Sequence, residues 1–359
     1  MTAISQVVSA GESSERNHRT RPATAAESPV TRRPRLGFLG VGWIGRHRME
    51  RIAESGAADV VAIGDPSSEA ATTAAQCVSG ATVVSPELDA FVDQDIDGLV
   101  IATPSAMHAD QAIAALERGI AVFCQKPLAR TAAETRRVID AARAADRLLA
   151  VDLSYRFTTA MRTIRELVTS GELGEIYAVD LVFHNAYGPD KPWFFDPKLS
   201  GGGCVIDLGI HLVDLALWTL GFPRVVDTTS KLYSKGKPLA SIDTQVEDYA
   251  VARVDVESGA SIQLTCSWNL PAGQNAVIGA SFYGSVGGAV FSNVNGSFYD
   301  FTAARHRGTS REVLADPPDE WGGRAAVDWA RRLATGERFD STVEHLEDVA
   351  AALDRIYGR

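Results

Sequence analysis

Arg35-Leu36-Gly37-Phe38-Leu39-Gly40-Val41-Gly42-Trp43-Ile44-Gly45 is the stretch that decides the fold. Leu36–Leu39 is a short apolar run of the kind that forms a buried strand. Gly40-x-Gly42-x-x-Gly45 follows it directly, and Ile44–Glu54 carries a helical pattern. Val60–Ile63 is a second buried strand, and Asp65 closes it about 20 residues beyond Gly45. Strand, glycine-rich turn, helix and acid at this spacing predict a dinucleotide-binding βαβ unit, with a glycine-rich turn that holds no ligand as the alternative. Gly40 permits the tight turn, Gly42 lets a pyrophosphate approach the backbone, and Gly45 lets helix and strand pack closely. The first helical residues, Trp43 and Ile44, present N–H groups and the positive end of the helix dipole to the phosphates. The Asp65 carboxylate can accept from both adenosine ribose hydroxyls and would repel a 2′-phosphate. No Lys or Arg occurs from Ile52 through Glu117, and Arg46 is the one nearby cation. The expected cofactor is therefore NAD in preference to NADP.

The same alternation continues outward. Gly98–Ala102 and Ile120–Cys124 are further buried strands, with helices at Ser68–Gln76, Ala106–Arg118 and Ala132–Ala145. Alternating strands and helices predict a doubly wound parallel sheet with helices on both faces. After Leu153 the texture changes. A helix at Thr158–Thr169 and a long alternating strand at Glu175–Asn185 precede an apolar helix over about Cys204–Leu220. Strand-like runs at Tyr249–Val256, Ser261–Trp268, Ala276–Tyr283, Gly288–Phe291 and Ser297–Phe301 predict an antiparallel sheet in a separate α+β domain. Helices at about Arg324–Leu333 and Val343–Ile356 close the chain. With 359 residues, at about 150 residues per domain two are expected. They are a Rossmann domain over 35–153 and an α+β domain over 154–359, after a flexible polar tail at 1–34.

Composition narrows the function. Lys plus Arg is 35 against 45 Asp plus Glu, a net charge of −10. A nucleic-acid binder normally carries a basic surplus, so no nucleic-acid partner is expected. Cys77, Cys124, Cys204 and Cys266 are widely separated, with no CxxC pair; no metal site is expected, and the thiols are read as buried and free. No apolar run approaches the roughly 20 residues of a membrane span, so no membrane partner is expected. Thr31-Arg32-Arg33-Pro34 superficially resembles a twin-arginine signal, but no small-residue cleavage site follows and cleavage there would remove the glycine motif. A cytoplasmic location is expected.

Three more segments carry chemistry. Ala102-Thr103-Pro104-Ser105-Ala106-Met107-His108 leaves a strand at the carboxyl edge of the sheet, where doubly wound folds bind ligands. Thr103 and Pro104 turn the chain at the cofactor, with His108 on the following helix; a plain helix-capping turn is the alternative. Gln125-Lys126-Pro127 ends the next strand at the same edge, which would hold the lysine in place beside a rigid proline; on this motif alone, a surface lysine on a loop is the favoured alternative. The third is Gly201–Trp218, apolar nearly all round as a helix. Its polar residues Asp207, His211 and Asp214 fall at i, i+4 and i+7, on one helical face. A polar stripe on a buried helix needs internal partners, either a site or a satisfied core network. Asp207 and His211 could form a dyad in which the carboxylate holds the imidazole and the ring takes a proton from a substrate hydroxyl.

Taken together, the strand-linked GxGxxG, the TPSxxH segment, the lysine-proline pair and the DxGxH helix resemble the Gfo/Idh/MocA oxidoreductase family. Ser154-Tyr155-Arg156-Phe157 and Ser170-Gly171-Glu172-Leu173-Gly174-Glu175-Ile176 add to the resemblance, which covers about residues 35–358. It implies a Rossmann domain followed by an α+β domain with a large open, mainly antiparallel sheet that serves for self-association, as a homodimer or homotetramer. It also implies NAD(P)-dependent oxidation or reduction at a secondary carbinol of a sugar, inositol or related polyol. By position, Lys126 would bind and polarise the reacting oxygen, His211 would be the general acid/base and Asp207 would orient it. Arg156, Tyr187, Trp193 and Asp214 would line the substrate pocket. The family commonly has Glu-Lys-Pro, whereas Gln125 here removes a negative charge beside Lys126 while keeping a hydrogen-bonding group for the nicotinamide ribose. A redox glycosidase that regenerates its bound NAD, and a non-catalytic nucleotide sensor, are the alternatives on this scaffold.

Overall fold

The structure is a computed structural model that describes residues 32–359. The expected tail at 1–34 falls almost wholly outside the described residues. The first sheet is built from β1 (Arg35–Leu39), β2 (Asp59–Gly64), β3 (Thr82–Val83), β4 (Gly98–Ile101), β5 (Ala121–Cys124) and β6 (Leu149–Val151). All its pairs are parallel, in the order β3-β2-β1-β4-β5-β6. Helices α1 (Trp43–Ser55), α2 (Ser68–Gln76), α3 (Leu88–Val92), α4 (Ser105–Glu117) and α5 (Ala132–Ala145) make the connections. Both faces of the sheet are covered, so β4 and β5 are buried at every residue and read as continuous apolar runs. The order reverses between β1 and β4, which opens a crevice at their carboxyl ends. The glycine turn leaves β1 and Thr103 leaves β4, so both segments reach that crevice.

The second sheet has nine strands in the order β15-β14-β13-β12-β7-β11-β10-β8-β9. They are β7 (Ile176–Asn185), β8 (Val225–Ser234), β9 (Lys237–Pro238), β10 (Tyr249–Val256), β11 (Ser261–Ser267), β12 (Ala276–Gly284), β13 (Gly288–Asn293), β14 (Phe301–Arg307) and β15 (Ser310–Ala315). Only β7 with β11 is parallel. Val179, Leu181, Phe183, Ile262, Leu264 and Phe282 bury the inner face against α6 (Thr159–Thr169) and α8 (Ile210–Thr219). The outer face stays open, with Val251, Thr265 and Val182 in one row across three strands. The expected strand at Ser297–Phe301 is a turn stabilised by Ser297 and Asp300, and the strand begins at Phe301.

The chain closes through α7 (Pro197–Ser200), which precedes α8, and through α9 (Arg324–Ala334) and α10 (His345–Tyr357). Although late in sequence, α9 packs on the first sheet: Trp329 is fully buried with its ring 5.7 Å from that of Phe123 on β5. A side chain at Gly98 would come within 2.7 Å of Trp329, so this glycine makes room for the indole.

Pro197–Thr219 has the length and apolar composition of a membrane span, but 83% of its apolar window is buried inside the protein, and bends at Gly201–Gly203 interrupt it. One expectation needs correction. Cys124, Cys204 and Cys266 are buried free thiols as expected, but Cys77 is exposed because it caps the surface end of α2.

Candidate active site

A cleft of about 600 Å³ runs from the glycine turn to the inner part of the second sheet. Gly42, Trp43, Ile44, Thr103, Pro104, His108, Gln125 and Lys126 line its Rossmann side. Gly40 has φ +87°, and a side chain there would meet the Ala102 carbonyl oxygen at 2.6 Å. At Gly45 it would meet the Gly40 oxygen at 2.2 Å, whereas at Gly42 nothing lies within 4 Å. The turn therefore packs against β4 on one side and leaves an open backbone surface on the other. No side chain caps α1 and its first turn contains no acid, an arrangement that favours an anion at its N-terminus. Asp65 sits beside the turn, one oxygen accepting from Val41 N and the other from Ser67 N, both at 2.8 Å. These features fit the phosphates and ribose of a dinucleotide.

His108 acts as a brace. It is 1% exposed, with Nδ1 2.7 Å from the Pro127 carbonyl and Nε2 2.7 Å from the Thr103 carbonyl. It thus ties the segment after β4 to the segment after β5, and Thr103 Oγ1 is held by Gln111 at 2.6 Å. The Lys126–Pro127 bond is cis.

From the other side come Asp207 and His211. Buried Glu247 sets this segment, accepting from Gly203 N at 3.0 Å, Val205 N at 2.9 Å and the Tyr357 hydroxyl at 2.8 Å. Gly203 is required because a side chain there would meet the Glu247 carbonyl at 1.9 Å. Lys126 Nζ donates to the Asp207 carbonyl at 2.7 Å and to Oδ1 at 2.8 Å, and Trp268 Nε1 donates to Oδ2 at 3.0 Å. His211 lies edge to face with Tyr155, ring centroids 4.9 Å apart, and its Nδ1 is buried without a partner. Burial above all, and then the charges of Lys126 and Arg48, hold the imidazole well below its ordinary pKa.

The expected Asp207–His211 dyad is not formed. Val205–Gly209 is a π-helical turn ahead of α8, and Asp207 and His211 both line the cleft without a hydrogen bond between them. Both Asp207 oxygens are taken by Lys126 and Trp268 instead. Asp214 and Arg156 are also placed differently from expectation. They form a two-pronged ion pair, with Asp214 at 1% exposure and the guanidinium beside the Trp218 and Phe222 rings, away from the cleft. Burial pushes the Asp214 carboxyl above its usual range despite Arg156. Trp193 does line the cleft, stacked on Phe194 at 3.8 Å. Tyr187 is half exposed and stands outside, near Phe298.

Sequence profiles match the chain in two consecutive blocks. "Oxidoreductase family, NAD-binding Rossmann fold" covers residues 34–153, and the GFO/IDH/MocA C-terminal domain covers residues 161–290. The chain belongs to the Gfo/Idh/MocA oxidoreductase family. Among curated members, D-glucoside 3-dehydrogenase of Escherichia coli is 32% identical over 203 residues, 54% of this chain and 58% of that protein. Inositol 2-dehydrogenase 4 of Saccharopolyspora erythraea is 29% identical over 82% of this chain and 90% of its own length. Levoglucosan dehydrogenase, solved with NADH and levoglucosan, superposes with a TM-score of 0.76 at 23% identity, covering 90% of this chain and 96% of that one. As a Gfo/Idh/MocA protein the chain is an NAD(P)-binding oxidoreductase of the sugar and inositol dehydrogenase type.

Some residues in and behind the cleft were not anticipated from the sequence. Trp268 holds Asp207, Tyr155 packs on His211, and Arg48 with Asp152 sits in the cleft wall. Asp152 had a usable signal: it follows a buried strand at the same sheet edge as Lys126.

Proposed function

We propose that the protein interconverts a secondary alcohol and a ketone on a sugar, inositol or related polyol, using NAD in preference to NADP. The observation that carries this reading is the convergence of Lys126, at the edge of the first sheet, and His211, on α8, on one cleft beside the glycine turn. When bound, the nicotinamide supplies the acceptor or donor of the carbinol hydrogen and its electron pair. His211 is kept neutral by burial and by its cationic neighbours, so in the oxidising direction it takes the hydroxyl proton and in reverse returns it. Lys126 donates to the reacting oxygen and stabilises its developing negative charge. Asp207, held by Trp268, fixes the ammonium of Lys126 rather than the imidazole. Trp193 offers an apolar ring face to a sugar ring. Asp65 supports the NAD preference, because a 2′-phosphate would meet a carboxylate rather than a cation. The open outer face of the second sheet is assigned to self-association as a homodimer or homotetramer.

The test is formation of reduced cofactor by purified protein with inositols, aldoses and sugar phosphates, NAD⁺ and NADP⁺ in parallel. Turnover on one polyol group, faster with NAD⁺, is expected. Turnover with NADP⁺ alone overturns the Asp65 argument, and glycoside cleavage without added cofactor overturns the dehydrogenase reading.

A further inference from the structure

The cleft wall holds a buried charge cluster of which the chemistry above uses only the charge of Arg48. Arg48 from α1, Gln125 after β5 and Asp152 after β6 are 5%, 7% and 1% exposed, and all three line the cleft. Asp152 Oδ2 accepts from Arg48 Nε at 2.6 Å and from Gln125 Nε2 at 2.7 Å. Its other oxygen, Oδ1, is buried and has no hydrogen-bond partner among the described residues. Arg48 Nη1 lies 2.7 Å from His47 Nδ1. Such a cluster is poor value for stability alone. Buried ion pairs are often matched by apolar replacements, and an unpartnered buried polar atom is destabilising.

Its geometry does have a consequence for the reacting end of the cleft. An ionised carboxylate only accepts hydrogen bonds, so the amide nitrogen of Gln125 faces Asp152 and the amide oxygen faces away from it. Gln125 is the neighbour of Lys126, so the carboxylate sets which polar atom position 125 turns from the wall. The negative charge absent from Gln125 stands directly behind it, in Asp152, where it also offsets Arg48.

We propose that Asp152 is a positioning residue for the nicotinamide nucleotide. It holds Gln125 with its carbonyl oxygen available to ribose hydroxyls and supplies from the second layer the charge that position 125 lacks. This inference rests on the reading of the cleft as a nicotinamide site.

The experiment compares wild type, Asp152→Asn, Gln125→Glu and the swap Gln125→Glu/Asp152→Asn by NADH fluorescence titration, thermal melting without cofactor, and steady-state kinetics. Asp152→Asn raises the NADH Kd about tenfold, the scale of one charge-assisted hydrogen bond, with a fall in kcat/KM to match. The swap restores one carboxylate to the pair and recovers both values to within about threefold of wild type. A wild-type Kd in Asp152→Asn overturns the proposal. So does a loss that the swap fails to rescue and that follows a lowered melting temperature. Failure of wild type itself to bind NADH overturns instead the nicotinamide reading beneath it.

Discussion

At the scale of single residues, His211 and Asp214 were expected on one stripe and have opposite fates. His211 stays at the cleft, where burial, Lys126 and Arg48 keep it neutral. Because its pKa lies below the ordinary 6.5, the base form persists below that pH. For alcohol oxidation kcat/KM should fall only as pH drops through the depressed value, and a decline centred at or above the ordinary imidazole pKa would contradict the assignment. Asp214 instead belongs to the core. Asp214→Ala leaves Arg156 without its partner, so unfolding free energy should drop by up to about 3–5 kcal/mol. In protein that remains folded, KM for the polyol should stay near wild type; a large rise in KM would return Asp214 to the substrate pocket. The sequence shows three polar residues on a buried helix but not that Lys126 and Trp268 occupy both Asp207 oxygens, because those partners lie far from Asp207 along the chain.

At the scale of elements, the glycine turn separates packing from binding. Gly45→Ala places a methyl 2.2 Å from the Gly40 oxygen, so melting temperature and cofactor affinity should both fall. Gly42→Ala meets nothing within 4 Å; it should melt like wild type while NADH binding weakens, measured by calorimetry and fluorescence titration. Equal effects in the two variants would count against a phosphate site at this turn. The turn was legible because its residue types are dictated by backbone geometry. So were β10, whose limits Tyr249–Val256 follow directly from alternation, and α5, where Thr131 caps the helix by accepting from Glu134 N at 3.2 Å. Strands β8 and β15 were not legible. They lie towards the sheet edges with no fully buried residue and so lack a clear apolar period.

At the scale of the whole molecule, helix α9 ties the end of the chain to the beginning. Trp329→Ala would open a cavity between Phe123 and Gly98 and cost about 3–5 kcal/mol, read as a lower denaturant midpoint. A midpoint unchanged from wild type would show that α9 is not anchored there. Nothing in the local pattern of Arg324–Leu333 says which sheet it covers, since an amphipathic helix names a buried face but not its partner. The cleft likewise is assembled from segments far apart in sequence, and only the family pattern joined them in advance. The central claim is that at this cleft His211 moves the hydroxyl proton and Lys126 stabilises the reacting oxygen in cofactor-linked oxidation. The most direct measurement is single-turnover formation of NADH from the best polyol by wild type, Lys126→Ala and His211→Ala, with NAD⁺ occupancy measured in the same samples. The account predicts near-normal occupancy and rates reduced by about 10²–10⁴ in both variants. A wild-type rate in His211→Ala would contradict it.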